Sequence, residues 1–297
     1  IIFDKTGTLT AGRPTIVGTA TLQGTEDELI QLAASVQHGS EHPLAHAMLS
    51  AAEQRQLSRS PVSDFRSHTG RGVSGSVNGR EIYIGNTRLL EEHGINAGDA
   101  AERVSDWEKQ GRTAVFVADR NGVLGVLAIA DPLRPEAREA VATLRKMGIR
   151  TIMLSGDAEL VAAEIGRQVG IDEARGAVRP EGKALVIQEL RGSGRVVGML
   201  GDGINDAPAL AAADVGIAMG TGTDIAMETA GITLMRADPR LVAGSIQASR
   251  ATFRKIKQNL FWAFIYNIVG IPLAAFGFLS PALAGAAMAM SSVSVVS

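Results

Sequence analysis

The chain of 297 residues has no cysteine, few aromatic residues and almost no excess of charge. The absence of cysteine excludes disulfides and thiolate metal sites within this span. Aromatic residues make up 4% of the chain and the formal net charge is −2, so nothing predicts a base-stacking or basic surface for nucleic acid. Its length is enough for two ordinary domains and a little more.

The chain opens on an apolar strand that gives way to a polar loop. Residues 1–3 predict the end of a buried strand, and Asp4 follows at the start of a loop that contains Gly7. At the carboxyl end of a strand in an open α/β sheet, such a carboxylate can attack phosphorus and form an aspartyl phosphate. An isolated Asp-Lys would more simply start a turn. The whole run DKTGTLT over residues 4–10 is far more specific, and it resembles the phosphorylation motif of P-type ATPases.

The hydrophobic pattern predicts an α+β insertion after the first strand and then alternating strands and helices. A capping box at Thr25 and prolines at residues 43 and 180 each begin a helix. Strands are expected near residue 65 and over 73–77 and 81–84, and Asn78-Gly79 predicts a hairpin turn between the last two. From Thr113 we expect β/α alternation in a doubly wound parallel sheet, including the hairpin strands 115–118 and 123–129. Residues 1–3 would supply the first strand of that sheet.

An apolar segment near the end of the chain is long enough to cross a bilayer. Residues 259–279 are apolar apart from Tyr266 and Asn267, and basic residues just before them predict a cytoplasmic end. Ser280-Pro281 is expected to form the turn, and residues 282–297 are expected to be a returning span that is cut short. A buried helical hairpin is the weaker alternative, because basic residues flank this apolar segment and its length fits a bilayer. Since the chain begins inside a strand without Met, we expect an internal fragment of a longer protein.

Three further predicted strand ends or helix starts carry groups that complement Asp4. Ser155 offers a hydroxyl to a phosphoryl oxygen, and Lys183 can neutralise charge on the transferred group. Asp202 and Asp206 are hard oxygen ligands, and a Mg²⁺ ion is needed for two anions to approach. Each residue alone could be an ordinary surface lysine or turn aspartate. The ordered set resembles the haloacid dehalogenase fold, and GDGINDAPAL (201–210) and MGTGTD (219–224) resemble the P-type ATPase motifs.

The resemblance implies a fold class and a domain plan. The fold would be α/β, with a haloacid-dehalogenase-like (Rossmann-like) phosphorylation domain, an inserted α+β nucleotide-binding domain and transmembrane helices after them. We expect the phosphorylation domain over residues 1–14 and 114–245, the nucleotide-binding domain over 15–113 and a last pair of transmembrane helices within 246–297.

The resemblance also implies roles for individual residues. Asp4 would take the γ-phosphate of ATP, and Mg²⁺ would be bound by Asp4, Thr6 and Asp202, with Asp206 as a further ligand. The expected catalytic residues are Asp4, Lys5, Thr6, Ser155, Gly156, Asp157 and Lys183.

Thr6 favours a pump over a phosphatase. Phosphatases of this superfamily usually carry a second Asp two residues after the nucleophile, and Thr6 at that position cannot shuttle a proton at neutral pH. The aspartyl phosphate should therefore persist until water is activated from elsewhere. In the family, a Glu on a separate actuator domain does this, and this chain lacks that domain.

The inserted region carries the expected nucleotide motifs. SEHP at residues 40–43 resembles the signature of heavy-metal P-type ATPases in which the His orients ATP, and GRGV at 70–73 and Gly85-Asn86 resemble its glycine motifs. Gln37 stands where relatives commonly carry Glu, so nucleotide contact should be altered but not lost. The expected nucleotide-binding residues are Gln37, Glu41, His42, Gly70, Gly72, Gly85, Asn86 and Asn205.

Polar residues within the apolar segments should select the transported ion. Tyr-Asn at 266–267 and Met-x-x-x-Ser at 288–292 resemble copper(I)-exporting ATPases, and a thioether suits Cu⁺ or Ag⁺. Helix packing is the simpler explanation for such residues taken alone. No Asp, Glu, Lys or His lies in these spans, which argues against zinc, cadmium, cobalt and alkali metals. The expected ion-binding residues are Tyr266, Asn267, Met288 and Ser292.

The resemblance therefore implies the catalytic core and last membrane hairpin of a copper(I)-exporting P-type ATPase of a bacterial membrane, with cytoplasmic catalytic domains. The cofactors would be ATP and Mg²⁺, with Cu⁺ or Ag⁺ as cargo. The partners would be the lipid bilayer, the upstream actuator domain and transmembrane helices with their Cys-Pro-Cys, and a copper chaperone, but no nucleic acid. A soluble phosphohydrolase of the same fold and a nucleotide-binding fragment without turnover are the alternatives.

Overall fold

A computed structural model describes residues 1–40, 42–203, 206–220, 222–278 and 280–296, apart from the side chains of residues 43, 292 and 294–296. The chain divides into two compact units, Ile1–Arg240 and Leu241–Ser297, and each is described by itself.

The described part of the chain forms the following strands and helices, each type numbered in chain order. The strands are β1 (Ile2–Asp4), β2 (Thr15–Thr21), β3 (Val62–His68), β4 (Gly72–Val77), β5 (Arg80–Gly85), β6 (Thr113–Asp119), β7 (Gly122–Ala130), β8 (Ile152–Leu154), β9 (Glu173–Arg175), β10 (Gly198–Gly201), β11 (Val215–Met219) and β12 (Ile232–Leu234). The helices are α1 (Glu26–Gln37), α2 (Pro43–Gln54), α3 (Thr87–Glu92), α4 (Ala100–Glu108), α5 (Ala137–Lys146), α6 (Glu159–Val169), α7 (Pro180–Gly192), α8 (Ala207–Ala212), α9 (Asp224–Thr229), α10 (Arg240–Ala275) and α11 (Pro281–Val296).

A parallel sheet of six short strands forms one half of the first unit. Its strand order is β12-β11-β10-β1-β8-β9, and β1 pairs with β10 on one side and β8 on the other. Apart from the edge strand β9, which is Glu-Ala-Arg, the strands are largely apolar, as is usual for parallel sheets with both faces covered. The α/β fold is therefore confirmed, and the first strand of the chain lies at the centre of the sheet.

An antiparallel sheet of six strands, in the order β2-β7-β6-β5-β4-β3, forms the other half. One face packs on α1 and α2 around residues such as Ile30, Met48 and Leu127, and the other packs on α3 and α4 around Leu89, Trp107 and Phe116. Helices α3 and α4 and strand β2 were not anticipated from the sequence. The predicted hairpin turn is confirmed at Asn78, which has φ +52° and joins β4 to β5.

Strands β6 and β7 lie in a different sheet from the one expected from the sequence. We expected residues 114–130 to continue the parallel sheet, but β6 pairs with β5, and β7 pairs with β2. The hairpin at Asn121-Gly122 returns the chain antiparallel to itself, so these two strands complete the inserted sheet. A division after β7 fits the sheets better than one at residue 113, and we propose it as the boundary.

Local signals account for several helix boundaries. Thr25 accepts a hydrogen bond from the Glu28 amide at 3.2 Å, and the Glu28 carboxylate accepts one from the Thr25 amide at 2.8 Å, so the predicted capping box begins α1. Pro180 begins α7, and Gly170, with φ +84°, ends α6. These ends fix where the loops between strands and helices start.

The second unit consists of the rest of α10 and the shorter apolar helix α11. Of the described helices, α10 alone is long and apolar enough to cross a membrane. It ends at Ala275, a few residues before the predicted end of the span, because Gly277 takes φ +75°. Helix α11 begins at Pro281, where the sequence predicted the turn.

Candidate active site

Asp4 lies at the carboxyl end of the central strand of the parallel sheet and is 6% exposed. Its carboxylate forms an ion pair with the ammonium group of Lys183, from the first turn of α7. The same ammonium group donates to Asp206 Oδ1 at 2.7 Å. One buried lysine is thus shared by two buried carboxylates that are about 200 residues apart in the chain.

The acceptor carboxylate is electrostatically unusual. Burial raises the pKa of Asp4 to about 6, and the Asp206 charge adds to this effect, against the opposing influence of Lys183 and Lys5. Burial would lower the pKa of Lys183, but the two carboxylates outweigh it, and the pKa is raised. Lys183 therefore stays charged throughout the neutral range.

A third carboxylate makes the site short of positive charge. Ligand oxygens of Asp4, Asp202 and Asp206 lie within 4.8 Å of one another. Burial and the charges of Asp4 and Asp206 raise the pKa of Asp202 to about 7. Such a set of carboxylate oxygens fits a hard divalent cation such as Mg²⁺. Asp206 also accepts hydrogen bonds from the amides of residues 202 and 203, which holds this loop in place.

Gly7 is required for Asp202 to approach this closely. Its φ is +73°, which favours glycine, and a Cβ at this position would overlap the Asp202 carboxylate. The loop Lys5–Leu9 is closed by a hydrogen bond from the Thr10 amide to Lys5 O at 3.1 Å. The glycine of the opening motif therefore lets the two acidic segments meet.

Lys5 and Ser155 meet at the carboxylate of Asp157, beside Asp4. Lys5 Nζ lies 2.5 Å from Asp157 Oδ2, and the Ser155 hydroxyl donates to the same oxygen at 2.6 Å. Burial would raise the pKa of Asp157, but the Lys5 charge and the hydrogen bonds outweigh it and hold the pKa at about 2. The sequence-predicted residues 155–157 thus flank the acceptor, with Gly156 exposed.

His42 and Gln37, two of the expected nucleotide-binding residues, belong to the antiparallel half. His42 begins α2, and its Nδ1 accepts from the Leu44 amide at 3.2 Å. Desolvation by the surrounding protein lowers the pKa of His42, with Asp157 raising it and Lys5 lowering it. Gln37 is buried, and its Oε1 has no hydrogen-bond partner among the described residues. A bound nucleotide could satisfy that oxygen.

The predicted glycines form one loop structure. Gly72 (φ +147°) pairs with Gly85 across β4 and β5, where a Cβ on either would strike backbone or Leu89. Asn86 donates to Gly70 O at 3.1 Å and accepts from the Leu89 amide at the start of α3. The Asn86 side chain is therefore used inside the protein to hold the loop.

Comparison with known sequences points to ATP-driven transporters. A family model of haloacid dehalogenase-like hydrolases matches residues 1–214. Over its whole length, the chain is 47% identical to a probable copper-importing P-type ATPase A of Enterococcus hirae, covering 40% of that protein. It is 47% identical to a copper-exporting P-type ATPase of Vibrio cholerae, covering 33% of it, and 45% identical to a silver exporting P-type ATPase of Salmonella typhimurium, covering 37%.

Solved structures agree with this result. The catalytic domain of the CPx-ATPase CopB-B matches with a TM-score of 0.66 and 32% identity over 82% of this chain and 87% of that one. The chain belongs to the P-type ATPases. A zinc-transporting PIB-type ATPase in the E2.Pi state matches 99% of this P-type ATPase chain with a TM-score of 0.70 and 34% identity, covering 48% of that chain. The chain thus spans less than half the length of the curated relatives above.

Sequence reasoning missed two residues that organise the motif loop of this P-type ATPase. The Asp131 carboxylate accepts from the Thr10 hydroxyl at 2.5 Å and from the amides of Gly12 and Arg13. Arg134 donates to Gly7 O at 2.9 Å. Both follow β7, where the chain returns from the inserted sheet. That return is the signal that points to them, and it becomes visible once β6 and β7 are assigned to the inserted sheet.

Arg179 and Thr113 were also missed, and both lie where the two sheets of the P-type ATPase meet. Arg179 Nε lies 3.8 Å from the position that a Cβ on Gly70 would occupy. The Thr113 hydroxyl donates to Asp157 Oδ1 at 2.7 Å. Neither has a local sequence signal, because each partner is distant in the chain.

The predicted ion-binding residues lie on two successive helices of the second unit. Asn267 donates to Ala263 O at 2.8 Å, one turn earlier on α10, and Tyr266 has its ring centroid 6.2 Å from that of Trp262. Met288 lies on α11 and is 74% exposed. Glu41, Asn205 and the Ser292 side chain, which the sequence assigned to nucleotide or ion, lie outside the described residues.

Proposed function

We propose that this chain is the ATP-dependent, phosphate-accepting core of a transporter for Cu⁺ or Ag⁺, with Asp4 as the acceptor. The observation that carries the proposal is the meeting of Asp4, Lys183, Asp202 and Asp206 at the end of the central strand. A buried nucleophile beside a fixed cation and two further carboxylates suits phosphoryl transfer better than any other chemistry of this fold.

In the proposed reaction, one Asp4 oxygen attacks the γ-phosphorus of ATP. A bond forms between that oxygen and phosphorus, and the bond between phosphorus and the β,γ-bridging oxygen breaks, so ADP leaves as the anion. Lys183 stays close to the acceptor and offsets the charge that develops on the phosphoryl oxygens. Because its pKa is raised, Lys183 keeps this charge throughout the neutral pH range.

Mg²⁺ fits the acidic end of the site. Asp4 and Asp202 would hold it, with Thr6 as the third expected ligand, because Asp206 is already bonded to Lys183 and to two backbone amides. When bound, Mg²⁺ supplies the positive charge that lets the triphosphate approach the carboxylates. Without it, Asp4, Asp202 and Asp206 repel an incoming phosphate, and Lys183 cannot balance them alone.

Thr6 should preserve the phosphorylated state. Its hydroxyl cannot act as a general base near neutral pH, so Asp4-phosphate would not be hydrolysed rapidly by residues of this chain. Hydrolysis would then depend on a catalytic residue from a segment beyond this chain. Such a dependence is the property a pump needs, because it links loss of phosphate to movement of other parts.

The cargo is inferred from the relatives and from the second unit together. Relatives at 45–47% identity are named for copper or silver, two of them as exporters and one as a probable importer. We propose export of Cu⁺ or Ag⁺, with Tyr266, Asn267, Met288 and Ser292 among its ligands. The Met288 thioether favours a soft monovalent ion such as Cu⁺ or Ag⁺.

The test is phosphorylation of the full-length transporter by γ-labelled ATP and Mg²⁺. We expect an acid-stable, hydroxylamine-sensitive label that depends on Cu⁺ or Ag⁺ and is lost in Asp4→Asn. Asp99→Asn, an exposed aspartate beside α4, is the matched control and should label normally. Labelling that survives Asp4→Asn would overturn the acceptor assignment, and labelling that responds to Zn²⁺ but to neither Cu⁺ nor Ag⁺ would overturn the cargo.

A further inference from the structure

The carboxylate of Asp157 joins three side chains from two different sheets. Lys5 and Ser155 contact its Oδ2, at 2.5 Å and 2.6 Å. Thr113, the first residue of β6, donates its hydroxyl to Oδ1 at 2.7 Å. Lys5 and Ser155 come from the parallel half, beside Asp4, whereas Thr113 belongs to the antiparallel half. The two oxygens of one carboxylate are therefore divided between the two halves.

The backbone of Asp157 is held independently of these bonds. The Ala177 amide donates to Asp157 O at 2.6 Å, and the Val178 amide donates to Ser155 O at 2.9 Å. Ala177 has φ +52°, a conformation that alanine rarely adopts, so this loop is constrained around residues 155–157. Rotation of the carboxylate is the freedom left to Asp157, and the partner of Oδ1 limits it.

Thr113 is itself fixed against the parallel half by its neighbours. Gly111 has φ +77°, and a Cβ there would lie 3.3 Å from both Glu164 Cγ and Ile165 Cδ1 on α6. Residues 111–113 therefore run close to α6 as they enter β6. The hydroxyl of Thr113 reaches Asp157 from a segment that packing already holds in place.

We propose that Thr113 is a positioning residue for phosphoryl transfer. Its hydroxyl orients the Asp157 carboxylate so that Lys5 and Ser155 are both held beside Asp4. This one hydrogen bond therefore couples the position of the antiparallel half to the arrangement of side chains around Asp4. The inference rests on the proposed function, because it concerns the step in which Asp4 is phosphorylated.

Loss of the hydroxyl should change the rate of this step and leave nucleotide affinity unchanged. Without Thr113, Oδ1 is a largely buried acceptor with no partner, so the carboxylate can rotate and draw Lys5 or Ser155 toward its free oxygen. Gln37, His42 and Gly70, which are expected to contact nucleotide, form no hydrogen bond with Thr113 or Asp157 in the described part of the chain. The effect should therefore appear at saturating ATP.

The experiment measures phosphorylation rates in the full-length transporter at several ATP concentrations. Thr113→Val removes the hydroxyl at nearly constant volume, and it should slow phosphorylation at saturating ATP by about tenfold with unchanged half-saturating ATP. Thr113→Ser keeps the hydroxyl and should restore the rate to within about twofold. Thr15→Val is the matched control: Thr15 is the exposed first residue of β2, so its rate should equal that of the wild type.

Each other outcome contradicts the inference in a defined way. A Thr113→Val rate equal to wild type, or a Thr113→Ser rate as low as that of Thr113→Val, would exclude a role for the hydroxyl. A raised half-saturating concentration of ATP with an unchanged maximal rate would make Thr113 a nucleotide contact instead. If thermal unfolding shows that Thr113→Val is not folded, the rates of Thr113→Ala and Thr113→Ser are compared instead, since these two variants also differ in the hydroxyl. Absence of Asp4-dependent label in the wild type would overturn the proposed function, and this inference with it.

Discussion

Arg179 differs from the other basic residues around the candidate active site. Lys5 and Lys183 are each paired with carboxylates, and Arg134 donates to a backbone carbonyl. Within the part of the chain that the structure describes, the Arg179 guanidinium has no such partner, and it lies beside Gly70 at the edge of the glycine loop. An exposed cation in that position is suited to an anionic ligand that enters between the two sheets.

We expect Arg179→Gln to weaken ATP binding by about five- to tenfold, because it removes a charge-assisted contact to the phosphates. Binding of adenosine, which has no phosphate, should change little. Calorimetric titration of both ligands measures the difference. Arg195→Gln is the control, because Arg195 is exposed and precedes β10, at the amino-terminal ends of the parallel strands and away from Asp4. Equal losses for ATP and adenosine would mean that Arg179 supports the loop and does not contact phosphate.

Residues could be predicted from the sequence where the signal is local or carried by a motif. The Thr25 capping box, Pro180 and the Asn78 turn are local, and the structure has all three. The meeting of Asp4 and Lys183, 179 residues apart, was expected from the ordered motifs and a family resemblance, since spacing alone does not indicate it. Thr113 and Asp131 belong to no motif that was recognised, so only the folded chain reveals their partners.

At the level of elements, β6 and β7 show why sheet membership is harder to predict than strand position. Both strands were predicted, but a continuous apolar run is typical of a central strand in either kind of sheet. Which sheet it joins depends on distant pairing with β2 and β5. Strand β2 contains three threonines and one glycine among its seven residues, so it lacks the apolar run that would have revealed the pairing.

The sheet topology predicts which fragment folds as a nucleotide-binding domain. A fragment of residues 12–132 keeps all six antiparallel strands, and we expect it to fold cooperatively and bind ATP. Residues 15–113 lack β6 and β7, which pack on both helical layers through Val117, Leu127 and Phe116, so this fragment should be unfolded. Circular dichroism with denaturant titration compares the two. Cooperative unfolding of the shorter fragment would show that the boundary at residue 113 is sufficient.

For the whole molecule, the division into two units would separate the two kinds of chemistry that we propose. Every described group of the phosphoryl site lies within Ile1–Arg240, whereas Tyr266, Asn267 and Met288 lie within Leu241–Ser297. A solved catalytic domain of a related CPx-ATPase corresponds to 82% of this chain, which supports the idea that the catalytic part exists as a separate domain. Phosphorylation of Asp4 and dependence on the transported ion should therefore be separable.

We expect residues 1–249, which retain the buried Val242 and Ala243, to be phosphorylated by ATP only with Mg²⁺ and without any effect of Cu⁺ or Ag⁺. Chelation of Mg²⁺ should abolish the label, because Asp4, Asp202 and Asp206 then repel the triphosphate. Asp202→Asn should reduce the rate at least about tenfold, and Asp99→Asn, exposed beside α4, should not. Because Thr6 cannot act as a general base, the label should accumulate to at most one phosphate per chain and decay slowly. Steady release of phosphate over many turnovers would instead identify this half of the molecule as a phosphohydrolase that completes its own reaction.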